Sequence, residues 1–318
     1  MKAVLAAALA LGFVASLLLP WHNLSSLMAA DPDTGWALLL ELRLPRAALA
    51  IVYGATLGAA GAAVQALFAN PLASPDLTGT TSGAALGAVV TAYLIGAAGP
   101  LSMAIGAIAG AAGALLLLIG LAGRRADTST LLLAGLAISA LAGALTTLAL
   151  ALAPSPFAFY DAYSWLMGSL VDRSLVQLAF ATLPALVALG WLALLSRPLD
   201  RLALGEEVAQ SMGHDLGRLR LQIICVTALG VGACVAICGA IGFIGLIAPV
   251  FARQLTDGHP GRAILPAAMV GAVLLTLADL ATRLAPVGRS LPIGVVTALI
   301  GAPFFLLLVI KMRWKLRS

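Results

Sequence analysis

Residues 196–221 read SRPLDRLALGEEVAQSMGHDLGRLRL. This stretch carries Arg197, Asp200, Arg201, Glu206, Glu207, Asp215, Arg218 and Arg220, in a chain where charged residues are only 10% of the total. The rest of the 318 residues is the opposite: 62% of the chain is hydrophobic and its mean hydropathy is +1.07. A soluble domain is about half apolar and about a quarter charged. The polar island therefore belongs in water against a membrane face, and the runs on either side of it belong in lipid. The fold class that follows is an all-α polytopic membrane protein. It is one transmembrane domain over 1–318, with 196–221 as a water-facing segment between the sixth and seventh spans.

A crossing needs about 20 apolar residues. Outward from the island, the candidates before it are 3–20, 46–68, 82–98, 101–122, 130–152 and 175–195. Those after it are 220–238, 242–255, 263–283 and 292–311, which makes about ten transmembrane helices. The third and eighth are short and Gly-rich. The N-terminal run is longer than a signal-peptide core and lacks a small-x-small cleavage site, so it reads as a retained span.

Basic residues concentrate in cytoplasmic loops, and this sets the orientation. With both termini and the island inside, Lys2, Arg124, Arg125, Arg197, Arg201, Arg218, Arg220, Arg253, Arg262, Lys311, Arg313, Lys315 and Arg317 face the cytoplasm. Only Arg43, Arg46, Arg173, Arg283 and Arg289 face outward. The pI of about 9.5 thus reflects membrane topology and predicts no nucleic-acid partner, because the basic residues are strung between apolar runs.

Gly54-Ala55, Gly61-Ala62 and Pro71 recur with identical spacing as Gly232-Ala233, Gly239-Ala240 and Pro249. The copies lie in spans 2 and 7, an odd number of spans apart, so they run in opposite directions. That is an inverted-topology repeat. Two stretches interrupt the helical pattern. Asn70-Pro71-Leu72-Ala73-Ser74-Pro75-Asp76 contains two prolines, and Gly239 to Pro249 reads GAIGFIGLIAP. Irregular backbone at membrane depth survives only where protein or a water-filled path satisfies it.

No catalytic set emerges. The only lysines are Lys2, Lys311 and Lys315, and no G-x-x-x-x-G-K-[ST], H-E-x-x-H or G-x-S-x-G occurs. His22, His214 and His259 are far apart in predicted loops. Cys225, Cys234 and Cys238 share one apolar run with no partner set for a metal, so no metal site and no cofactor are expected. A membrane enzyme, the second rival, would need a metal or nucleophile set that the sequence does not show. An ion-coupled secondary transporter, the leading rival, would need an ionisable group inside a span. Asp76 follows a break, and Asp279 lies one turn before Arg283, as in a local salt bridge. Energy for transport must then enter from outside the chain, and the island is the inlet.

Within the island, Leu204, Val208 and Met212 recur every four residues and form an apolar stripe on a short helix between Gly205 and Gly213. Glu206 and Glu207 open that helix, where its dipole favours them. A compact helix with apolar anchors is either a surface element or what a soluble partner grips. On the outer side, Arg43 and Arg46 stand against the charge bias. They either snorkel at the interface or offer a basic spot to an acidic partner.

Seven stretches together resemble the FecCD family: RLPR at 43–46, NPLASPDLTG at 70–79, LLLAG at 131–135, WLMGSL at 165–170, LGEEVAQSMG at 204–213, GFIGLIAP at 242–249 and LPIGVVTALIGAPFF at 291–305. The resemblance runs from about residue 41 to the C-terminus. It implies a permease subunit of a type II ABC importer in the bacterial inner membrane, moving an iron chelate such as a ferric siderophore, with haem, cobalamin or ferric citrate as alternatives. It also implies two cytoplasmic ATPase subunits, a periplasmic substrate-binding protein, a second permease subunit (identical or related) and contact with membrane lipid. ATP hydrolysis would reside on the partner, so the chain itself would not be an enzyme.

Residue by residue, the resemblance assigns Leu204, Gly205, Glu206, Glu207, Val208, Met212 and Gly213 to ATPase coupling. It assigns Arg43, Arg46 and Arg283 to binding-protein docking, and Thr128 and Ser129 to the cytoplasmic gate. Spans 5 and 10 would line the path. One position departs from the family pattern: Val250 stands where relatives carry histidine after the GFIGLIAP proline.

Overall fold

The computed structural model describes residues 2–96, 99–123, 128–213, 215–283 and 291–315. Every expected span coincides with a helix. Before the island these are α1 (Lys2–Leu18), α4 (Leu44–Leu67), α5 (Thr80–Tyr93), α6 (Pro100–Ala122), α7 (Thr128–Ala151) and α9 (Leu175–Leu194). After it come α12 (Leu216–Cys238), α13 (Ile244–Gln254), α14 (Ile264–Thr282) and α15 (Ile293–Lys315). Short helices fill the connections: α2 (Trp21–Ala30), α3 (Pro32–Ala37), α8 (Pro156–Leu166), α10 (Ser196–Leu202) and α11 (Glu206–Ser211). The chain is a multi-pass membrane protein.

The core is a knot of three helices made possible by glycine. A Cβ added at Gly54 would overlap the Gly271 carbonyl oxygen, one at Gly58 the Ala267 carbonyl, and one at Gly61 the Gly245 carbonyl. α4 can therefore lie backbone to backbone against α14 and α13. Close approach through small residues is how helices associate in lipid, where water expulsion offers no driving force. Ala59, Ala60, Ala62 and Ala63 complete the contact at 0–1% exposure.

Pro249 lies inside α13, where the sequence suggested irregular chain. A proline donates no hydrogen bond to the carbonyl four residues earlier, here Gly245. That carbonyl is the one that faces Gly61. The proline opens an acceptor, and the missing side chain lets α4 reach it.

The repeat appears as reciprocal packing. α4 packs on α13 and α14, while its counterpart α12 packs on α5 and α6. Each repeat also holds a helix too short to cross the bilayer. α5 and α13 have 14 and 11 residues, or about 21 and 16 Å at 1.5 Å per residue. Each follows a non-helical break. The glycines of the two copies do different work, however. Gly54 and Gly61 are contact points inside α4, whereas Gly239 ends α12 at φ +75°.

The second break is satisfied from within. Buried Tyr53 donates through its hydroxyl to the Gly239 carbonyl (3.1 Å) and accepts from the Ile241 N–H (3.3 Å). Buried Gln65 donates through Nε2 to the Leu246 carbonyl at 3.1 Å. Phe243, at φ +67°, then starts α13 and sets its ring against Gly301 of α15. Val250 sits half-buried on α13.

α7 and α15 lie at the edge. α7 buries Leu131, Gly135, Ile138, Ala142 and Thr146 along one stripe, against the 3-10 turn Pro75–Thr78 and α5. Its opposite face is uncovered, with Leu133 68% and Leu141 59% exposed.

Candidate functional site

Residues expected to carry function fall at two ends of the bundle. At the island end, α10 is clamped to the body. Leu199 is fully buried, and the Asp200 carboxylate accepts from the Gly261 N–H at 2.8 Å, in the turn between α13 and α14. The next turn carries Gly205 at φ +112°, a conformation that L side chains rarely adopt. That turn throws α11 outward from the bundle.

α11 touches the body through Ala209, which is fully buried, while Leu204, Val208 and Met212 are 63%, 42% and 51% exposed. Of the expected stripe only Val208 lies on α11; Leu204 precedes the Gly205 turn and Met212 follows the helix, and all three side chains are exposed. Gly213 at φ +84° ends the unit, and Asp215 caps α12 by accepting from the Arg218 N–H at 3.1 Å. That cap explains why α12 begins at Leu216 rather than near residue 220. His214 lies outside the described residues.

Glu206 faces Arg220 of α12. Arg220 Nη2 donates to Glu206 Oε1 at 2.5 Å and to Thr128 Oγ1 at 3.4 Å. The Thr128 hydroxyl donates to the same Glu206 oxygen at 3.2 Å. One residue expected in coupling and one expected in the gate therefore meet, beside a third that no motif singled out. In the sequence Arg220 reads only as one more cytoplasmic charge. Ser129, the other residue expected in the gate, is exposed, as is Glu207. The adjoining Arg124, Arg125, Ala126 and Asp127 lie outside the described residues.

At the opposite end, Arg43, Arg46 and Arg283 converge from the π-helical turn Leu38–Arg43, the head of α4 and the foot of α14. They line a pocket of about 250 Å3 together with Leu19, Pro20, Leu38, Leu42, Val171 and Asp172. Their donors, however, point inward. Arg46 Nε donates to Asp279 Oδ1 at 2.8 Å, and Arg283 Nη2 to Asp279 Oδ2 at 3.0 Å. Asp279 is thus shared by two arginines rather than paired with its helix neighbour alone.

Arg43 Nη1 donates to the Leu17 carbonyl at 2.7 Å, and Arg283 Nη1 to the carbonyls of Ser16 and Leu19 at 2.8 and 2.7 Å. These acceptors are the last carbonyls of α1 and its exit, where a helix dipole favours cations. The three arginines tie α1 to α4 and α14.

Three comparisons place this geometry among known proteins. The model of the FecCD transport family matches residues 2–311, so the first forty residues fall inside the match along with the motif-bearing part. Vitamin B12 import system permease proteins BtuC from Salmonella paratyphi A and Salmonella typhi are 42% identical over 278 residues, covering 85% of this chain and 83% of theirs. A solved ABC transporter assigned to the metal-chelate type, in an inward-facing conformation, superposes with a TM-score of 0.84. It is 31% identical and covers 98% of this chain and 100% of its own. PsaBC from Streptococcus pneumoniae, solved in complex with a Fab, shares the fold at TM-score 0.57 and 21% identity, over 83% of this chain and 90% of its own.

Proposed function

This chain belongs to the FecCD transport family, and we propose that it imports a metal chelate with α11 as its handle for an ATP-driven motor. As a family member it is the transmembrane permease subunit of a type II ABC importer in the inner membrane. ATP is hydrolysed on a separate subunit. Its partners on this reading are two ATPase subunits inside, a substrate-binding protein outside and a second permease copy or close relative. The uncovered faces of α7 and α15 suit the seam with that second copy and the path along it. The termini and residues 196–221 lie in the cytoplasm.

The observation that carries this reading is the exposure of Leu204, Val208 and Met212 on and around a helix that Glu206 ties to the body. A short helix whose Val208, with Leu204 before it and Met212 after it, presents large apolar side chains to water has a partner groove to fill. Introducing charge there is the test. Val208→Glu with Met212→Glu should leave membrane insertion and yield intact but lower co-purification with the cognate ATPase by about tenfold or more, as loss of interface anchors does. Capture at the parental level would contradict the reading.

The cargo is a large metal chelate. The relatives at 42% identity carry vitamin B12 in their names, which makes a corrin the first candidate. The metal-chelate transporter at 31% identity keeps a ferric siderophore as the second reading. Uptake of cyanocobalamin against a ferric siderophore, in vesicles holding the complete complex and each candidate binding protein, decides between them.

A further inference from the structure

We infer that Arg220 is the positioning residue that transmits motor displacement from α11 to the gate at the head of α7. This rests on the proposed roles of α11 and of the Thr128–Ser129 segment. It adds a residue outside both stretches that bonds to each and braces the direct Thr128–Glu206 contact.

The link is a three-way contact among elements far apart in sequence. Glu206 is the first residue of α11, Thr128 the first of α7, and Arg220 lies in the second turn of α12. Arg220 is the largest of the three groups, and its side chain is only 13% exposed, against 50% for Glu206. Shielding strengthens an ion pair relative to one in open water. A guanidinium presents several donors in a rigid plane, and here one nitrogen reaches both the carboxylate and the hydroxyl. A lysine ammonium on a flexible stem would hold the carboxylate without fixing the hydroxyl beside it.

The mechanical consequence follows from what each element can do. α11 meets the body only through buried Ala209 and the bonds of Glu206, and its other residues are exposed, so it can shift when gripped. α12 is firmly seated, with 72% of its span buried. α7 has fewer contacts within the chain, with 28% buried, so its head is the less constrained of the two. When α11 moves against α12, the Glu206–Arg220 pair must shear, and Thr128, bonded to both partners, follows one and parts from the other. Either outcome changes the contacts that hold the α7 head. A coupling of this kind between two sites is typically worth about 5- to 150-fold in a linked equilibrium.

The test uses the full permease in complex with its ATPase in lipid vesicles. The reporter is Ser129→Cys, next to Thr128 and exposed, in a chain whose Cys225 is replaced by serine; Cys234 and Cys238 are buried. The rate of maleimide labelling is read with and without ATP plus vanadate. With Arg220 in place, nucleotide should change the rate by about fivefold or more, the lower edge of such couplings. With Arg220→Gln, the complex should still co-purify, but the nucleotide response should fall below about twofold. Arg220→Lys, which keeps the charge and loses the fork, should respond at an intermediate level and guards against simple misfolding of the glutamine variant.

A full nucleotide response in either Arg220→Gln or Arg220→Lys overturns the inference while leaving the permease reading intact. A parent complex that assembles yet shows no nucleotide response overturns the gate assignment itself, and the inference with it.

Discussion

At one end of the bundle, three arginines are turned inward; at the other, three apolar side chains are turned outward. Arg43 is 8% exposed, and Arg46 and Arg283 share the Asp279 carboxylate, itself 2% exposed as a side chain. Leu204, Val208 and Met212 are 42–63% exposed. By composition alone, the charged cluster should meet the outside and the apolar stripe should be core. The difference teaches that exposure follows unsatisfied valence, not residue class. The arginines have internal acceptors in the carbonyls ending α1 and in Asp279, so that end is closed by its charges. Leu204, Val208 and Met212 have no internal surface to cover them, so that end is completed only by another molecule.

The largest expected effect comes from breaking the closed end. Asp279→Ala would leave Arg46 and Arg283 facing each other without their shared carboxylate, and removing one side of a shielded pair costs about 3–5 kcal/mol. The melting temperature in detergent should drop by several degrees, and an unchanged value would mean the cluster is not what holds this end. Next is Arg43→Gln. It deletes charged hydrogen bonds to the Leu17 and Pro20 carbonyls, each of a kind worth about 1.5–3 kcal/mol. Protease cleavage between α1 and α4 should become faster.

Smaller effects sharpen the open end. Gly205→Ala forces an L residue toward φ +112°, at a local cost of about 1–3 kcal/mol. The global melting point should barely move, because α11 is largely uncoupled from the core, while ATPase capture should weaken. The smallest effect is Arg218→Gln. Its pair with Asp215 spans 3.1 Å, but the side chains are 84% and 58% exposed, so solvent screening leaves it below about 0.5 kcal/mol. A melting shift of several degrees there would show that the island end is more tightly bonded than its exposure indicates.

The parts legible in the sequence were those with a local cause. Apolar runs marked where the ten helices lie, six of them, among the described residues, long enough to cross a membrane, and Glu206 and Glu207 marked the start of α11. Gly54 and Gly61 marked close helix approach, though their partners Gly271 and Gly245 did not announce themselves. The short helices α2, α3 and α8 passed unread, since six to eleven residues seldom show a period.

What remained hidden was long-range polar pairing. Arg46 and Asp279 are 233 positions apart, Tyr53 and Gly239 are 186, and Arg220 and Thr128 are 92. No local pattern encodes which acceptor a guanidinium will find once the helices pack. The proline in α13 misled for a related reason. Pro249 looked like a helix breaker, but the carbonyl it leaves without a helical donor lies in close contact with Gly61 of α4.

The most direct measurement concerns the open end. Met212→Cys, in a chain with Cys225→Ser, is labelled with a membrane-impermeant maleimide in right-side-out and inside-out vesicles, with and without the purified ATPase. Labelling should occur only in inside-out vesicles and should be suppressed when the ATPase is added. Labelling from the periplasmic side, or labelling that the ATPase leaves unchanged, would contradict the role of α11 as the cytoplasmic handle.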